Sequence, residues 1–285
     1  MGKTGVSAVW HDSNESWEFR ELPLPDLEND AIQVKVEATS VCGSDLHIWR
    51  GDGIDTKKHP RDPFVFGHEM MGTVAFMGNK VTTDSLRNPL KEGDRIAFSY
   101  FFPCAKCYNC IRGEFGACKF RLGRKPLEEW PVCNGGFAQY YYLRSPHYIF
   151  KLPDEISNAS AAPINCALAQ VYDALHLGGV MMGDNIVIQG AGGLGINATA
   201  IANELGASKI IVIDGQKPRL DLAVQCGATD IIDMNEYDTP QSRIDRVMEL
   251  TNGIGADKVV EVVGFPQVVE EGVDMVRMSC LLYTS

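Results

Sequence analysis

The sequence predicts an α/β protein in two parts, a β-rich amino-terminal domain followed by a doubly wound parallel sheet. Three observations predict it. From Ala31 to Thr39, apolar Ile32, Val34, Val36 and Ala38 alternate with Gln33, Lys35 and Glu37, the period of a half-buried strand. Beyond residue 185, short apolar runs alternate with helical stretches, the order that produces right-handed crossovers and a parallel sheet. The first of those runs, Asn185–Gln189, leads at once into Gly190-Ala191-Gly192-Gly193-Leu194-Gly195 and then a helix over Ile196–Leu205. That is a G-x-G-x-x-G pattern in its strand, turn and helix setting.

Composition narrows the classes. At 285 residues the chain is long enough for two cores. No run of eighteen apolar residues is present, so no membrane span is expected. The net charge of −11 gives no general reason to bind nucleic acid or anionic lipid. The first residues lack the apolar core of a signal peptide and position six is Val6, against myristoylation; a cytoplasmic protein is expected.

In the amino-terminal part, Thr73–Met77 and Asp94–Phe98 read as further short strands, and frequent prolines argue against long helices before residue 150. Between the strands lie Val41-Cys42-Gly43-Ser44-Asp45-Leu46-His47 and Gly67-His68-Glu69-Met70-Met71-Gly72. Cys42, His68 and Glu69 offer a thiolate, an imidazole and a carboxylate, the donors Zn²⁺ takes, and three protein ligands with one open position mark a catalytic zinc. Adjacent His68 and Glu69 on a straight strand would face opposite ways, so a kink is required, which the flanking Gly67 and Gly72 permit. Beside such a metal, Ser44 can take a proton from a bound alcohol and His47 can pass it to solvent; alternatively Ser44 caps a helix starting near Asp45.

Cys104-x₂-Cys107-x₂-Cys110-x₇-Cys118 places four thiolates close enough to close tetrahedrally around a structural zinc, with a redox CxxC as the second possibility. Lys106, Arg112, Lys119, Arg121, Arg124 and Lys125 surround it and read as a solvated basic face rather than a nucleic-acid surface. Lys151-Leu152-Pro153-Asp154 marks the exit to the second domain. Ala159–Leu177 is a helical pattern with Pro163 near its start and Cys166 inside it, where a buried structural cysteine is one reading.

In the carboxy-terminal part Gly190 permits the turn, Gly192 and Gly193 let backbone amides approach a pyrophosphate, and Gly195 lets the helix pack. The next strand, Lys209–Ile213, ends in Asp214, about twenty residues past the glycines, where a carboxylate accepts from the adenosine ribose and repels a 2′-phosphate. NAD is therefore expected over NADP, with Arg219 as the counter-argument. Ile231-Ile232 and Val259–Val263 supply two more strands, and Thr239–Leu250 and Pro266–Val276 two helices.

These motifs together resemble the zinc-dependent medium-chain alcohol dehydrogenases, and the rest follows from that resemblance. It implies a GroES-like catalytic domain over 1–155 with a structural-zinc lobe at about 100–125, then an incomplete Rossmann domain over 156–277. It implies that Cys166 completes the catalytic zinc set with Cys42, His68 and Glu69, that Asp45 orients the ligand histidine, and that Leu194 presses on the nicotinamide. Trp49, Tyr100 and Phe101 would line an apolar pocket or belong to the core. The implied reaction is hydride transfer between an alcohol and NAD in the crevice between the domains, with two zincs per chain and Ser44 and His47 as proton relay. Secondary, cyclic or aromatic alcohols are favoured, with polyols or amino-alcohols as the alternative and a non-catalytic NAD-sensing zinc protein as the outside reading. Of nine cysteines only Cys133, Cys226 and Cys280 then stay outside metal sites, which suits a reducing compartment. After Arg277 the sequence leaves the family pattern, so residues 278–285 read as foreign and the chain as a fragment of a homodimeric or homotetrameric enzyme.

Overall fold

The computed structural model describes residues 3–11, 16–52, 63–121 and 135–284, with side chains only up to 278. Arg124, Lys125 and Cys133 lie outside the described residues, as does the side chain of Cys280. The chain divides into two compact units, Met1–Cys166 and Ala167–Ser285, a division that falls later than the boundary near 155 read from the sequence.

The first unit is built on antiparallel strands. Strands β1 (Thr4–Trp10), β2 (Glu18–Pro23) and β4 (Phe64–Val65) form a small sheet in the order β2-β1-β4. The larger sheet runs β7-β3-β5-β6-β8, from β3 (Ile32–Ser40), β5 (Glu69–Met77), β6 (Arg95–Phe98), β7 (Tyr140–Leu143) and β8 (Ile149–Lys151). The alternating residues Ile32 and Val34 enter its core with Met70, Val74, Ile96, Phe98, Leu143 and Ile149. Along the β3–β5 pair Val36 faces Gly72 and Ala38 faces Met71, so Glu37 is an extra residue in β3, a bulge. Beyond the bulge Thr39 pairs Met70 and Ser40 pairs Glu69.

Short helices carry functional residues out of these sheets. Helix α1 (Gly43–Arg50) follows β3 directly, with Cys42 as its extended N-cap and left-handed Gly51 as its stop. Helix α2 (Tyr108–Ile111) and a 3₁₀ turn at Phe115–Ala117 make the cysteine lobe. Helix α3 (Asn158–Ala161) is held by Arg95, whose guanidinium donates to Asn158 Oδ1 at 3.1 Å and to the carbonyls of Pro153 and Ile156. The predicted single helix over 159–177 is instead three pieces: α3, a π-helical turn at Ile164–Leu168, and α4 (Ala169–Leu177). Pro163 lacks an N–H and breaks the ladder there.

The second unit is a parallel sheet in the order β11-β10-β9-β12-β13, from β9 (Asn185–Gln189), β10 (Lys209–Asp214), β11 (Asp230–Asp233), β12 (Ala256–Glu261) and β13 (Val276–Thr284). In chain order this is 3-2-1-4-5, the doubly wound arrangement, with the order reversing at β9. Helices α5 (Gly193–Glu204), α6 (Lys217–Gln225), α7 (Pro240–Leu250) and α8 (Pro266–Met275) connect the strands. Side-chain alternation explains both faces: Ile186, Ile188 and Val212 pack with Val171, Ala198, Ala202 and Leu220 on one, while Val187, Ile211 and Val259 pack with Val247 and Met275 on the other. The α/β class read from the sequence is the fold observed. The backbone of 278–284 continues β13, with Leu281, Leu282 and Tyr283 opposite Lys258, Val259 and Val260. Among the described residues no helix is long and apolar enough to cross a membrane.

Candidate active site

The chain brings Cys42, His68, Glu69 and Cys166 to one place, with their ligand atoms all within 4.8 Å of one another. Cys42 caps α1, Glu69 opens β5, and Cys166 sits in the π-helical turn. The required kink is at Gly67, where φ is +89°, and an added Cβ would fall 2.6 Å from the Phe137 ring. Gly72 is needed for a different reason than the one read from the sequence: a Cβ there would lie 2.2 Å from the Lys35 carbonyl across the β3–β5 pair.

Neighbouring groups hold Cys42, His68 and Glu69 in place. Asp45 is buried; its Oδ2 accepts from the Cys42 N–H at 3.0 Å and its Oδ1 lies 3.3 Å from His68 Nδ1. With Nδ1 so engaged, Nε2 is the ring nitrogen left to bind a metal. Ser44 Oγ lies 3.4 Å from that Nε2, beside the metal position. Cys42 and not Ser44 occupies the N-cap, so the capping reading of Ser44 is not the one observed. His47 is one turn along α1 on the same face as Ser44, with Nδ1 2.9 Å from Asp52 Oδ2 and its ring largely exposed. Two residues escaped the sequence reading. Ser40 donates to Glu69 Oε2 at 2.6 Å, and Thr39 donates to the Glu69 carbonyl at 2.9 Å. Only the β3–β5 register reveals them, and the bulge at Glu37 hides that register from the sequence.

Taken by themselves, these protein groups compete as anions. The Cys166 thiol and the His68 imidazole pull Cys42 down to about 3, against the opposing effect of burial. Cys42 in turn pushes Cys166 far above the ordinary thiol range, with burial adding to it. Burial raises Glu69 despite the hydrogen bond from Ser40. Burial opposes charge on His68, but Asp45 and Cys42 prevail and raise it to about 9. One thiolate forms at the expense of its neighbours, and a divalent cation is what lets such a set ionise together.

A second cluster gathers Cys104, Cys107, Cys110 and Cys118. Their sulfurs lie 3.9 Å (Cys104–Cys110), 3.5 Å (Cys107–Cys110) and 3.8 Å (Cys107–Cys118) apart. Tetrahedral zinc with Zn–S of about 2.3 Å requires S···S of about 3.8 Å. The four-thiolate site fits zinc, and the spacing is far too long for disulfides.

In the second unit the glycines divide their work. A Cβ on Gly195 would sit 1.8 Å from the Gly190 carbonyl, so the α5–β9 approach demands glycine there. Gly190 has φ of +100°. Cβ atoms on Gly192 and Gly193 would meet nothing within 4 Å among the described residues, leaving space at the N-terminus of α5, where helix N–H groups without intrahelical partners favour an anion. Asp214 closes the loop from below: Oδ2 accepts from Ala191 N–H at 2.7 Å and Oδ1 from Gln216 N–H at 2.8 Å. Arg219 Nη1 is 3.8 Å from Asp214 Oδ2, so its charge is drawn toward the carboxylate. Leu194 packs partly into the core of this unit.

Comparison with known proteins agrees with this geometry. Residues 28–154 match the alcohol dehydrogenase GroES-like domain and residues 193–279 the zinc-binding dehydrogenase domain. The chain belongs to the zinc-dependent medium-chain alcohol dehydrogenase family. Among its relatives, L-threonine 3-dehydrogenase of Bacillus licheniformis is 34% identical over 90% of this chain and 69% of its own length. Sorbitol dehydrogenase of Bacillus subtilis is 32% identical, over 95% of this chain and 72% of its own. A crystal structure of an alcohol dehydrogenase from Thermotoga maritima superposes with a TM-score of 0.89 at 29% identity, covering 99% of this chain and 77% of that one. As a zinc-dependent medium-chain alcohol dehydrogenase, the chain is an oxidoreductase acting on alcohols with zinc and NAD. Both donor sets suit zinc in number, type and spacing, and the open cradle at Gly192 and Gly193 suits a dinucleotide phosphate.

Proposed function

We propose that Cys42, His68 and Cys166, with Glu69 beside them, hold a catalytic zinc, that the four-cysteine lobe holds a structural one, and that the enzyme favours secondary, cyclic or aromatic alcohols. The observation that carries the reading is the cluster of unlike donors formed by Cys42, His68, Glu69 and Cys166 with the Ser44 hydroxyl at its edge. Bound zinc supplies Lewis acidity toward an alcohol oxygen, and NAD supplies the hydride acceptor. Asp45 keeps the His68 ring turned and its Nδ1 occupied. Ser44 receives a proton beside the metal position, and His47, paired with Asp52 and open to solvent, carries it away. Asp214 places a negative charge at the end of β10, where it would repel a 2′-phosphate, which favours NAD over NADP.

The apolar preference rests on Tyr100, whose ring lies 5.1 Å from His68 and 4.2 Å from Phe101. Trp49 supports it less, because it packs into an aromatic cluster with Trp10, Phe64 and Phe66. A polyol or amino-alcohol substrate is the second reading, favoured by the names of the threonine and sorbitol relatives. Elemental analysis should find two zincs per chain, and Cys110→Ser should leave one. An alcohol panel read by NADH formation then separates the substrates: turnover of polyols alone would overturn the apolar preference. The net charge of −11 gives no general reason to bind nucleic acid, and a small-molecule alcohol is its partner.

A further inference from the structure

Asn165 stands next to Cys166 and was not singled out by any motif. Its Nδ2 donates to the Phe98 carbonyl at 3.1 Å and lies 3.4 Å from the Met70 carbonyl. Met70 follows Glu69 at the start of β5, and Phe98 ends β6 just ahead of Tyr100. One amide therefore ties the turn bearing Cys166 to the strand that opens with Glu69 and to the strand that leads into Tyr100, whose ring lies 5.1 Å from His68.

The other half of the amide is unrewarded: Asn165 Oδ1 is buried with no hydrogen-bond partner among the described residues. A buried unpaired acceptor is costly, and an apolar side chain of the same size would avoid that cost. The donor half is thus what an amide contributes here. The turn it holds needs holding. Ile164–Leu168 is a π-helical turn, a rare geometry that is found frequently at functional sites. Relaxing one such turn to α-helix would rotate residues on one side of it by roughly 100° about the axis relative to the other side. Cys166 would then leave the cluster it shares with Cys42, His68 and Glu69.

We propose that Asn165 is a positioning residue, whose side-chain amide clamps the widened turn onto β5 and β6 so that the Cys166 sulfur is preset for the metal. The proposal rests on the reading of Cys166 as a zinc ligand. Its test is the affinity and spectrum of metal at the mixed site in Asn165→Leu, which removes both donors at similar size. Metal-free protein is loaded with one zinc equivalent to fill the four-cysteine lobe and then titrated with Co²⁺. Asn165→Leu is expected to bind Co²⁺ about ten- to a hundredfold more weakly. The thiolate-to-cobalt absorption should fall to that of Cys166→Ser, while the lobe keeps its zinc.

Asn165→Asp, which keeps the shape and loses the donor, should show the same loss. Wild-type affinity and absorption in either folded variant would overturn the proposal. Failure of both variants to fold or to fill the lobe would overturn it too, since the amide would then support the fold at large. If wild-type protein binds no Co²⁺ at the mixed site, or Cys166→Ser binds it as well as wild type, the zinc-ligand reading itself fails and the role of Asn165 falls with it.

Discussion

Asp45 serves two candidate ligands at once, steadying the Cys42 N–H with one oxygen and the His68 ring with the other. Asp45→Asn keeps the shape but removes the charge, and it should weaken metal binding at the mixed site about ten- to a hundredfold. Competition with a chromophoric chelator measures this, and zinc in the four-cysteine lobe should be unaffected. Ser44 lies 3.4 Å from His68 Nε2 without being a donor in the set, so Ser44→Ala should separate chemistry from metal binding. It should lower kcat by about 10²- to 10⁴-fold while both zincs remain. A variant with full activity would remove Ser44 from the proton path.

The elements of the second unit depend on two features of different kinds. Gly195 allows α5 to pass over the Gly190 carbonyl, and Gly195→Ala has no small side-chain shift available because the obstructing atom is backbone. NAD binding by Gly195→Ala, read by calorimetry, should be lost before the metal sites are affected. Between α7 and α8, Arg243 and Glu271 form a buried bidentate pair with both bonds at 2.7 Å, and Arg243 also donates to the Tyr237 carbonyl. Arg243→Met leaves Glu271 buried without its cation and should cost about 3–5 kcal/mol of stability in denaturant unfolding. Adding Glu271→Leu should recover most of the loss, because two apolar residues can replace a buried pair.

At the scale of the whole molecule, each unit carries a carboxylate held in its charged form. Asp84 is buried, which opposes ionisation, but hydrogen bonds from Asn88 and from the Lys151 and Leu86 N–H groups outweigh that and lower it. Asp257 is likewise lowered against burial by the Asn185 N–H and Arg277, where β9, β12 and β13 begin. A depressed folded value means the unfolded chain takes up protons first as pH falls. The stabilisation is therefore complete above the unfolded value of about 3.9 and is lost as pH drops through the folded values. Unfolding midpoints in urea should fall as pH drops below about 4, and less steeply in Asp84→Asn. An unchanged slope in that variant would remove Asp84 from the acid response.

The sequence by itself determined the parts whose signals are local. Strand alternation, a glycine pattern between strand and helix, and closely spaced cysteines each depend on neighbours a few residues away, and each stands where expected. The donor set of the mixed site was legible as residue types, with Cys166 added only through resemblance. Tertiary structure decided what depends on register and on departures from regular geometry. The bulge at Glu37 sets Ser40 opposite Glu69, Gly67 turns His68 inward, and the π-helical turn aims Cys166. No short-range pattern encodes these, because each is a contact between segments far apart in the chain, chosen by packing rather than by propensity.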